Sequence, residues 1–574
     1  MMRSLVMHLG ALMGEVFEKL DLPTEHARVS VSGEDIDAQF QCNGALACAK
    51  PLKRNPREIA QAIVDMLGQT SDIFEDLSIG GPGFINITLK DSFIAEYLRG
   101  IMNDDDFGVA KIADEHTVIL DYGGPNIAKP MHVGHLRSSI IGDALRRIYD
   151  FSGYKTISDV HMGDWGTPMG MILSELELMG HAGEVSMEML ADIYPKASGA
   201  CKEDVARMEQ ARAATKKLQD GDAKYTRIWR EFIDVSIAGM KQNFDALGVQ
   251  FDEWKGESDA HPYIAEMVED LQARGIAVQD AGAWIISVTQ EGDKKEMPPF
   301  ILLKSDGAVL YSTTDLATIV DRVKTHDPDK IVYVVDQRQG LHFEQLFRVA
   351  RLFGIVSGRL DLDFAGFGTM NGTDGKPFKT RAGGVMRLED LIAMAEDKAL
   401  ARLEEAALAQ DMDMAERLQI ARKVGLAALK FADLQNNRVS DYVFDLDRMT
   451  SFEGKTGPYL LYQAVRIQSL LRKADFEMDE TADLVISDED RDLAFLLCGF
   501  SDALANALKQ NAPHFLCAYA YALAQAFSSF YGRCHILSEE DAQVRDSRLA
   551  LCVQTHKQLI GVLDLLGIDV PERM

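Results

Sequence analysis

The alternation of apolar and polar positions divides the chain into three parts, of which the first covers residues 1 to about 111. Its first twenty residues form an amphipathic pattern interrupted by two glutamates, which predicts a helix rather than a signal peptide. A capped helix is predicted to begin after Asn55-Pro56 and to end at Gly68. Residues 84–89 predict a strand after a Gly-Gly-Pro-Gly turn. This part therefore predicts a small α+β domain.

In the second part, from about 112 to 395, short β-branched runs alternate with helical patterns. Residues 117–120 and 330–335 are two such runs, and a helical pattern follows each of them. Short apolar strands separated by helices are typical of a parallel sheet that is covered on both faces. Residues 176–290 are rich in Ala, Lys, Glu and Met, which predicts a largely helical insertion in this domain.

The third part, residues 396–574, has a helical period almost throughout and predicts an α-helical bundle large enough to bury its own core. Residues 513–532 lack charge but are too polar for a membrane span, so they predict a buried helix. The predicted fold class is α/β: a Rossmann-type parallel-sheet domain with a helical insertion, preceded by an α+β domain and followed by an all-α bundle.

Composition adds two constraints on function. The 574 residues include 60 Lys and Arg against 89 Asp and Glu, a net charge of −29, which argues against a generally basic surface for nucleic acid. It does not exclude a local basic groove. The seven cysteines form no CxxC pair, so neither a disulfide framework nor a structural zinc site is predicted, and a reducing cytoplasm is expected.

The clearest chemical signal lies in residues 121–143. A strand ends near Tyr122 and a helix begins close to Gly134, so the loop between them lies at the carboxyl edge of a parallel sheet. His132 and His135 would then point the same way beside the positive end of a helix, which suits a triphosphate, and Gly134 would leave room for the nucleotide. The alternative is a surface pair of histidines or part of a metal site. The flanking strand and helix favour nucleotide binding.

A second signal is the glycine-rich segment 372–384, which carries Lys376, Lys379 and Arg381 and precedes a helix starting near Leu388. A glycine-hinged loop with cations can close over ATP and stabilise the charge of a departing pyrophosphate. Taken alone, this segment favours a solvated turn with incidental charge. Its place about 240 residues after the histidine motif, in the same domain, favours the phosphate role.

Together these motifs resemble class I aminoacyl-tRNA synthetases. The segments GPNIAKPMHVGHLRSSIIGDAL, HMGDWGTPMGM, YSTTDLA, YVVDQRQGLHFEQLF and GKPFKTRAGG are similar, in this order, to arginyl-tRNA synthetase. FQCNGALACAK, NPREIAQAIVDML and GPGFINITL resemble that family's additional tRNA-binding domain. YVFDLDRMTSFEGKTGPYLLYQAVRI resembles its anticodon-binding domain, so the resemblance spans nearly the whole chain.

The resemblance implies an arginine–tRNA ligase that forms arginyl-adenylate from L-arginine and ATP and then charges the terminal ribose of tRNA(Arg). Mg2+ would accompany the ATP phosphates rather than occupy a protein cage, so no metal ligands are predicted. The implied catalytic residues are His132, His135, Lys376 and Lys379, and the implied ATP-binding residues are His132, Gly134, His135, Lys379 and Arg381.

The same resemblance implies a pocket for the substrate's guanidinium, whose five donors require carboxylates and flat acceptors. The implied arginine-binding residues are Asp121, Asn126, His132, Tyr311, Asp315 and Gln339, with Gln337 as the alternative to Gln339. Asp121 and Asp315 would bind the guanidinium and Asn126 the α-amino group. Asp315 would equally suit the N-cap of the helix that follows it.

Some positions depart from the family pattern. Gly124 stands where a serine is frequent, and Pro168 where a glutamine is frequent. The lysine loop lacks the KMSK form, so the phosphate role is shared between Lys376 and Lys379. The implied tRNA-binding residues are Phe40, Gln41, Asn43 and Tyr459, and the enzyme is expected to be a monomer without membrane association.

Two other functions compete with this interpretation. A nucleotidyltransferase with the same HxGH chemistry would not explain the long helical region after the lysine loop or the separate first domain. A non-catalytic RNA-binding paralogue predicts damage to the histidine motif, to Asp315 or to the lysine loop, and all of these are intact.

Overall fold

The N-terminal domain packs helices around one antiparallel sheet. The computed structural model describes residues 4–33, 35–113, 115–181, 184–356, 358–376, 378, 386–476 and 484–574. Strand order in this sheet is β1-β2-β4-β3. The elements are α1 (Leu5–Lys19), β1 (Val29–Val31), β2 (Phe40–Cys42), α2 (Gly44–Leu52), α3 (Pro56–Thr70), β3 (Phe74–Gly80), β4 (Phe84–Leu89) and α4 (Asp91–Met102).

The predicted N-terminal helix and the strand at 84–89 are confirmed as α1 and β4. The start of α3 is also confirmed, because the Asn55 side chain accepts the backbone N–H of Arg57 at 3.0 Å. The predicted end at Gly68 is wrong, since α3 continues to Thr70. A single glycine inside a helix costs only about 1 kcal/mol, which the buried apolar face of α3 outweighs.

The middle of the chain begins with β5 (Thr117–Asp121), α5 (Val133–Phe151), β6 (Lys155–Asp159) and α6 (Thr167–Leu178). The predicted insertion is confirmed as largely helical and ends in a small antiparallel sheet. It contains α7 (Met187–Glu203), α8 (Val205–Gln219), α9 (Ala223–Leu247), α10 (Glu257–Ala273), β7 (Val278–Asp280), β8 (Ala283–Ile286) and β9 (Phe300–Leu303). After it come α11 (Tyr311–His326), β10 (Lys330–Tyr333), α12 (Gly340–Phe353), β11 (Asp361–Phe364) and β12 (Met370–Asn371).

The central sheet is parallel, as predicted, with strand order β11-β10-β5-β6. Its register places Asp121 of β5 beside Asp159 of β6 on one side and Tyr333 of β10 on the other. The carboxyl ends of three neighbouring strands therefore meet at one edge, where ligands bind in folds of this kind.

The C-terminal part is helical, as predicted, although residues 395–434 form two helices instead of one continuous run. The elements are α13 (Leu388–Glu405), α14 (Met414–Leu434), β13 (Tyr442–Val443), α15 (Leu446–Met449), α16 (Gly457–Ala474), α17 (Arg491–Leu497), α18 (Phe500–Gln510), α19 (His514–Arg533) and α20 (Ala542–Leu565). Residue 395, the predicted domain boundary, lies inside α13. All seven cysteines are buried free thiols. Among the described helices, none is long and apolar enough to cross a membrane.

Two small residues fix α5 over the carboxyl edge of the sheet. The Ser138 hydroxyl donates to the Val334 carbonyl at 2.7 Å and accepts the Gly123 N–H at 2.8 Å. A Cβ at Gly142 would overlap the side chain of Tyr122, the residue that follows β5. This close contact sets where the N-terminus of α5 lies relative to the strand ends.

Candidate active site

The predicted histidine pair lies at the start of α5, where each ring satisfies a backbone N–H group. His132 is the N-cap, and its Nδ1 accepts the Gly134 N–H at 3.0 Å. His135 Nδ1 accepts the His132 N–H at 3.0 Å, and the two ring centroids lie 4.1 Å apart. Because each Nδ1 is an acceptor, the ring proton must reside on Nε2. Both rings therefore present an N–H donor beside the positive end of a helix.

Both imidazoles are held in the neutral form. Burial lowers the pKa of His132, and the ammonium of Lys129 lowers it further. Burial lowers the pKa of His135 to about 3, with His132 acting in the same direction. At Gly134 a Cβ would lie 2.8 Å from His132 Cε1, so the glycine makes room for the histidine ring itself. The prediction from the motif alone is that this room serves the nucleotide.

A pocket opens beside this pair, near the carboxyl ends of β10 and β11. It has one carboxylate, Asp336, which accepts two hydrogen bonds from the Arg338 guanidinium at 2.6 and 2.8 Å. The pocket is lined by His132, Val133, Gly134, Arg137, Asp336, Arg338, Phe367, Gly368, Thr369, Met370 and Phe378. The rings of Phe367 and Phe378 in its wall and the imidazole N–H donors beside it suit a nucleotide.

The lysine loop leaves this pocket through β12. Lys376 is exposed, and its carbonyl accepts the Gly372 N–H at 2.7 Å in a tight turn. Phe378 packs against the domain again. Its backbone N–H donates to the Met370 carbonyl, and its ring centroid lies 4.7 Å from that of Phe444. Lys379 and Arg381 lie outside the described residues.

A second pocket lies on the other side of Lys129, between the sheet edge and the insertion. It is lined by Asn126, Ile127, Lys129, Gly163, Trp165, Gly166, Thr167, Pro168, Met169, Tyr194, Gln219, Glu257, His261, Lys304, Val309, Leu310, Tyr311 and Thr314. The Asn126 amide lies against Gly163, where a Cβ would overlap its Oδ1. The backbones of these two residues form a parallel bridge, which holds Asn126 at the pocket wall.

Glu257 is the one carboxylate among the residues that line this second pocket, and Asp315 lies close enough to act on its pKa. Asp315 lies within the first turns of α11, and its Oδ2 is 2.6 Å from His342 Nε2. Burial raises the pKa of Glu257 to about 7, with Asp315 and Asp164 acting in the same direction. The N-cap alternative for Asp315 is wrong, because α11 begins at Tyr311 and its cap is Leu310.

Asp121 is engaged by a cation of the chain itself. Arg322 Nη2 donates to Asp121 Oδ2 at 2.6 Å and to Asp159 Oδ2 at 2.7 Å. All three side chains are buried, with Arg322 only 1% exposed. The predicted contact between Asp121 and a substrate guanidinium would require Arg322 to leave first. Asp121 is not among the residues that line either pocket, so its contact with the substrate stays a prediction.

Of the other predicted arginine-binding residues, Tyr311 lines the second pocket, and Gln339 is not among its lining residues. The Tyr311 ring is exposed, 4.9 Å from the His342 ring. Gln339 is exposed at the N-cap of α12, three residues before His342. The Gln337 amide lies instead against Gly366.

Two residues of the site, Glu257 and Lys129, have no role in the sequence prediction. Glu257 begins α10 and lies far from every predicted motif along the chain, so only the fold places it beside Asp315. Lys129 lies three residues before His132, and its ammonium is 4.3 Å from the centre of the Tyr194 ring. The cation within the histidine motif could have been noticed from the sequence.

Of the predicted tRNA contacts, Asn43 is exposed and Tyr459 is half-buried, 5.8 Å from the Tyr521 ring. Gln41 donates to Asn86 Oδ1 at 2.9 Å. The Phe40 prediction is wrong, because its ring is 1% exposed and packs edge-on against Phe495 of α17. An aromatic residue inside a core cannot stack on RNA.

A parallel sheet with an imidazole pair at the N-terminus of the following helix is the arrangement expected of a class I aminoacyl-tRNA synthetase. The family described as tRNA synthetases class I (R), catalytic domain, matches residues 98–446. The arginyl-tRNA synthetase N-terminal domain matches residues 8–89, and the DALR anticodon-binding domain matches residues 460–574. The chain belongs to the arginyl-tRNA synthetase family.

Full-length relatives agree with this assignment. The chain is 49% identical to an arginine–tRNA ligase of Maricaulis maris and 45% identical to that of Alkaliphilus oremlandii, with all of each chain covered. Its fold is similar to the arginyl-tRNA synthetase of Plasmodium falciparum, with TM-score 0.86, 26% identity and complete coverage of both chains. The Thermus thermophilus arginyl-tRNA synthetase shares the fold with TM-score 0.82 at 22% identity, over 99% of this chain and all of the other.

Replacing His135 with Ala should slow adenylate formation by roughly 10²–10³-fold, because one preorganised donor to developing phosphate charge is lost. His132→Ala should act similarly, and tRNA binding should change little in both. The measurement is arginine-dependent pyrophosphate exchange together with a tRNA binding titration. His135→Asn is the matched control, since its Oδ1 can still accept the His132 N–H but the Nε2 donor is missing. Wild-type exchange in both Ala variants would contradict the nucleotide site.

Asp315→Asn should raise the KM for arginine by about ten- to hundredfold and leave the KM for ATP within twofold. The physical reason is that a charged acceptor, with a hydrogen bond of about 1.5–3 kcal/mol, is exchanged for a neutral amide. His342→Gln is the control, because it removes the partner and keeps the Asp315 charge. If only the KM for ATP changes, Asp315 does not bind the guanidinium.

Arginine binding should weaken as the pH falls through 7. Glu257 is neutral below its raised pKa and charged above it, whereas the guanidinium stays charged throughout. The dissociation constant for arginine should therefore rise about tenfold between pH 8 and pH 6. Calorimetry over this range measures it. The rise should disappear in Glu257→Gln, and an unchanged pH profile in that variant would assign the titration to another group.

Proposed function

We propose that the protein joins L-arginine to the 3′-terminal ribose of tRNA(Arg) in two steps at this sheet edge. The arginine carboxylate attacks the α-phosphorus of ATP, which forms arginyl-adenylate as pyrophosphate leaves. A ribose hydroxyl of tRNA then attacks the adenylate carbonyl, and AMP leaves. The observation that carries the proposal is the neutral imidazole pair at the N-terminus of α5, in a chain that is similar along its full length to arginine–tRNA ligases.

In the first step the nucleophile is already charged, so no side chain has to act as a general base. Catalysis then rests on positioning and on stabilising the charge of the leaving pyrophosphate. We assign the Nε2–H groups of His132 and His135 to the triphosphate, with Lys129 as a nearby cation. Lys376, Lys379 and Arg381 would add charge when the lysine loop closes.

For the amino acid, we assign the guanidinium to Asp315 and Glu257, with Tyr311 and Gln339 as further contacts. Asn126 would accept a hydrogen bond from the α-amino group. Asp121 is already bound to Arg322, so its predicted contact with the substrate would require Arg322 to leave. Pro168 lines this pocket at the second position of α6, where proline is tolerated. It therefore offers apolar contact in place of an amide.

Mg2+ would enter with ATP, coordinated by the phosphates. Within the described residues, no group of three His, Cys, Asp or Glu side chains could hold a metal ion. Asp336, the carboxylate of the nucleotide pocket, is bound by Arg338. The donor set of the chain thus fits a metal carried by its substrate better than one held in a cage. The ion would neutralise phosphate charge.

For tRNA we assign contacts to Asn43 and Gln41 on the first domain and to Tyr459 on the helical bundle. Exposed Lys50, Lys53 and Arg54 lie at the end of α2, close to Asn43 in the chain, and can bind phosphates despite the acidic total. We expect a monomeric enzyme in the cytoplasm. A nucleotidyltransferase without RNA would leave the first domain and the bundle without a role.

The decisive experiment is pyrophosphate exchange with each amino acid, with and without tRNA. Exchange stimulated by arginine alone among the amino acids supports the ligase. Exchange that is indifferent to the amino acid would favour a nucleotidyltransferase, and no exchange under any condition would favour a non-catalytic RNA-binding protein.

Adenylate formation should need bound tRNA, because the glycine-hinged lysine loop lies close in sequence to the helical domain. Docking of tRNA on that domain could bias the loop toward its closed form, which is a shift in population. Exchange with arginine and ATP should be low alone and should rise at least tenfold with cognate tRNA. Periodate-oxidised tRNA, which cannot accept arginine, is the control. Full exchange without tRNA would refute this coupling but not the ligase.

A further inference from the structure

Arg137 lies on α5 two residues after His135, yet its guanidinium bonds to groups beyond residue 430. Its Nε lies 3.0 Å from Asp433 Oδ2 at the end of α14. Its two terminal nitrogens donate to the Ser440 carbonyl at 3.2 Å and the Arg438 carbonyl at 3.4 Å. The first turns of the HxGH helix are therefore attached by one side chain to the end of α14 and the segment that follows it.

This ion pair is removed from solvent. Arg137 is 2% exposed and Asp433 0%. The guanidinium carbon lies 5.1 Å from the centre of the Tyr442 ring and 5.7 Å from that of Phe367. A buried pair gains little net stability over apolar residues of similar size, but its geometry is directional. The pair thus restricts where α5 can lie relative to α14.

The connector that follows α14, residues 436–444, also holds the root of the lysine loop. The Arg438 carbonyl accepts the Gly368 N–H at 2.9 Å, and Asp441 Oδ1 accepts the Thr369 N–H at 2.6 Å. Strand β13 of the connector pairs in parallel with β12, from which the loop departs. One connector therefore contacts both α5, through Arg137, and the strand that precedes the lysine loop.

Besides its contact with Arg137 of α5, α14 packs directly on α16, the helix that carries Tyr459. A Cβ at Gly457, the first residue of α16, would overlap the Ala427 carbonyl of α14. Ala427 and Asp433 are six residues apart, about 9 Å along the helix. At Gly457 the backbones of α16 and α14 are in direct contact, with no side chain between them. A displacement of α16 must therefore displace α14 as well.

We propose that Arg137 is a positioning residue that makes the orientation of the His132–His135 pair depend on the helical domain through Asp433. The proposal rests on the proposed function, in which these histidines serve adenylate formation. tRNA that docks at the start of α16 would move α14, and the ion pair would transmit that movement to α5. The connector would transmit it to the lysine loop.

Asp433→Asn tests this inference without touching the nucleotide pocket, because Arg137 stays in place and Asp433 does not line that pocket. The matched control is Asp490→Asn. Asp490 is also 0% exposed and lies 3.1 Å from Arg548 Nε, but this pair lies wholly within the helical domain. The readouts are tRNA-stimulated pyrophosphate exchange, the Kd for tRNA and the melting temperature.

Asp433→Asn should lower the exchange rate at least tenfold while the Kd for tRNA stays within twofold. Asp490→Asn should lower the melting temperature comparably and leave exchange within twofold of wild type. Equal loss of exchange in the two variants, or none in Asp433→Asn, would overturn the inference. A wild-type enzyme without arginine-dependent exchange would overturn the proposed function instead.

A double variant separates positioning from stability. Arg137→Met with Asp433→Leu replaces the pair by apolar side chains, so no unpaired charge remains buried. The double variant should regain the melting temperature lost in Asp433→Asn but not the tRNA-stimulated exchange. Recovery of wild-type exchange in the double variant would show that the pair is only structural.

Discussion

Helix α5 is buried on nearly every face, and the rest of the site depends on how it is held there. The central sheet lies on one side and the C-terminal helices on the other, so residues 136–145 are all buried. A helix in that position needs small residues where a neighbour comes close, which Ser138 and Gly142 supply. It also needs a partner for every polar group, which Asp433 supplies for Arg137. Its N-terminus is consequently fixed relative to both domains, and with it the imidazole pair.

The two halves of the site solve opposite electrostatic problems. Phosphate oxygens require hydrogen-bond donors. Because burial keeps His132 and His135 neutral, each ring has its Nε2–H available as a donor. A guanidinium requires negative charge, and Asp315 and Glu257 concentrate it at the other pocket. Lys129 lines the second pocket and also lowers the pKa of His132, so its ammonium lies near both groups of residues. The separation keeps each charge with the substrate group that needs it.

The sequence predicted those parts of the site that lie within one motif and missed those that several segments assemble. The histidine pair was predictable because strand, loop and helix are contiguous in the chain. Glu257 was not, because only the packing of the insertion brings it to Asp315. The cap alternative for Asp315 failed because Tyr311 already belongs to the helix. The burial of Phe40 was not predictable from its own segment, because its ring packs against Phe495, more than 450 residues later in the chain.

That late contact also explains how an acidic chain can offer a basic surface to RNA. The edge-on packing of Phe40 on Phe495 fixes the first domain against the helical bundle, as does Arg491, which bonds to the Leu89 carbonyl. The face of the first domain that carries Phe40 is covered by the bundle, whereas residues 50–57 at the junction of α2 and α3 remain largely exposed to solvent. Within the described residues, no carboxylate lies within 4.0 Å of the side-chain nitrogens of Lys50, Lys53 or Arg54. Because screening confines electrostatics to about 10 Å in physiological salt, such a local surplus decides what the surface attracts, and the net charge does not.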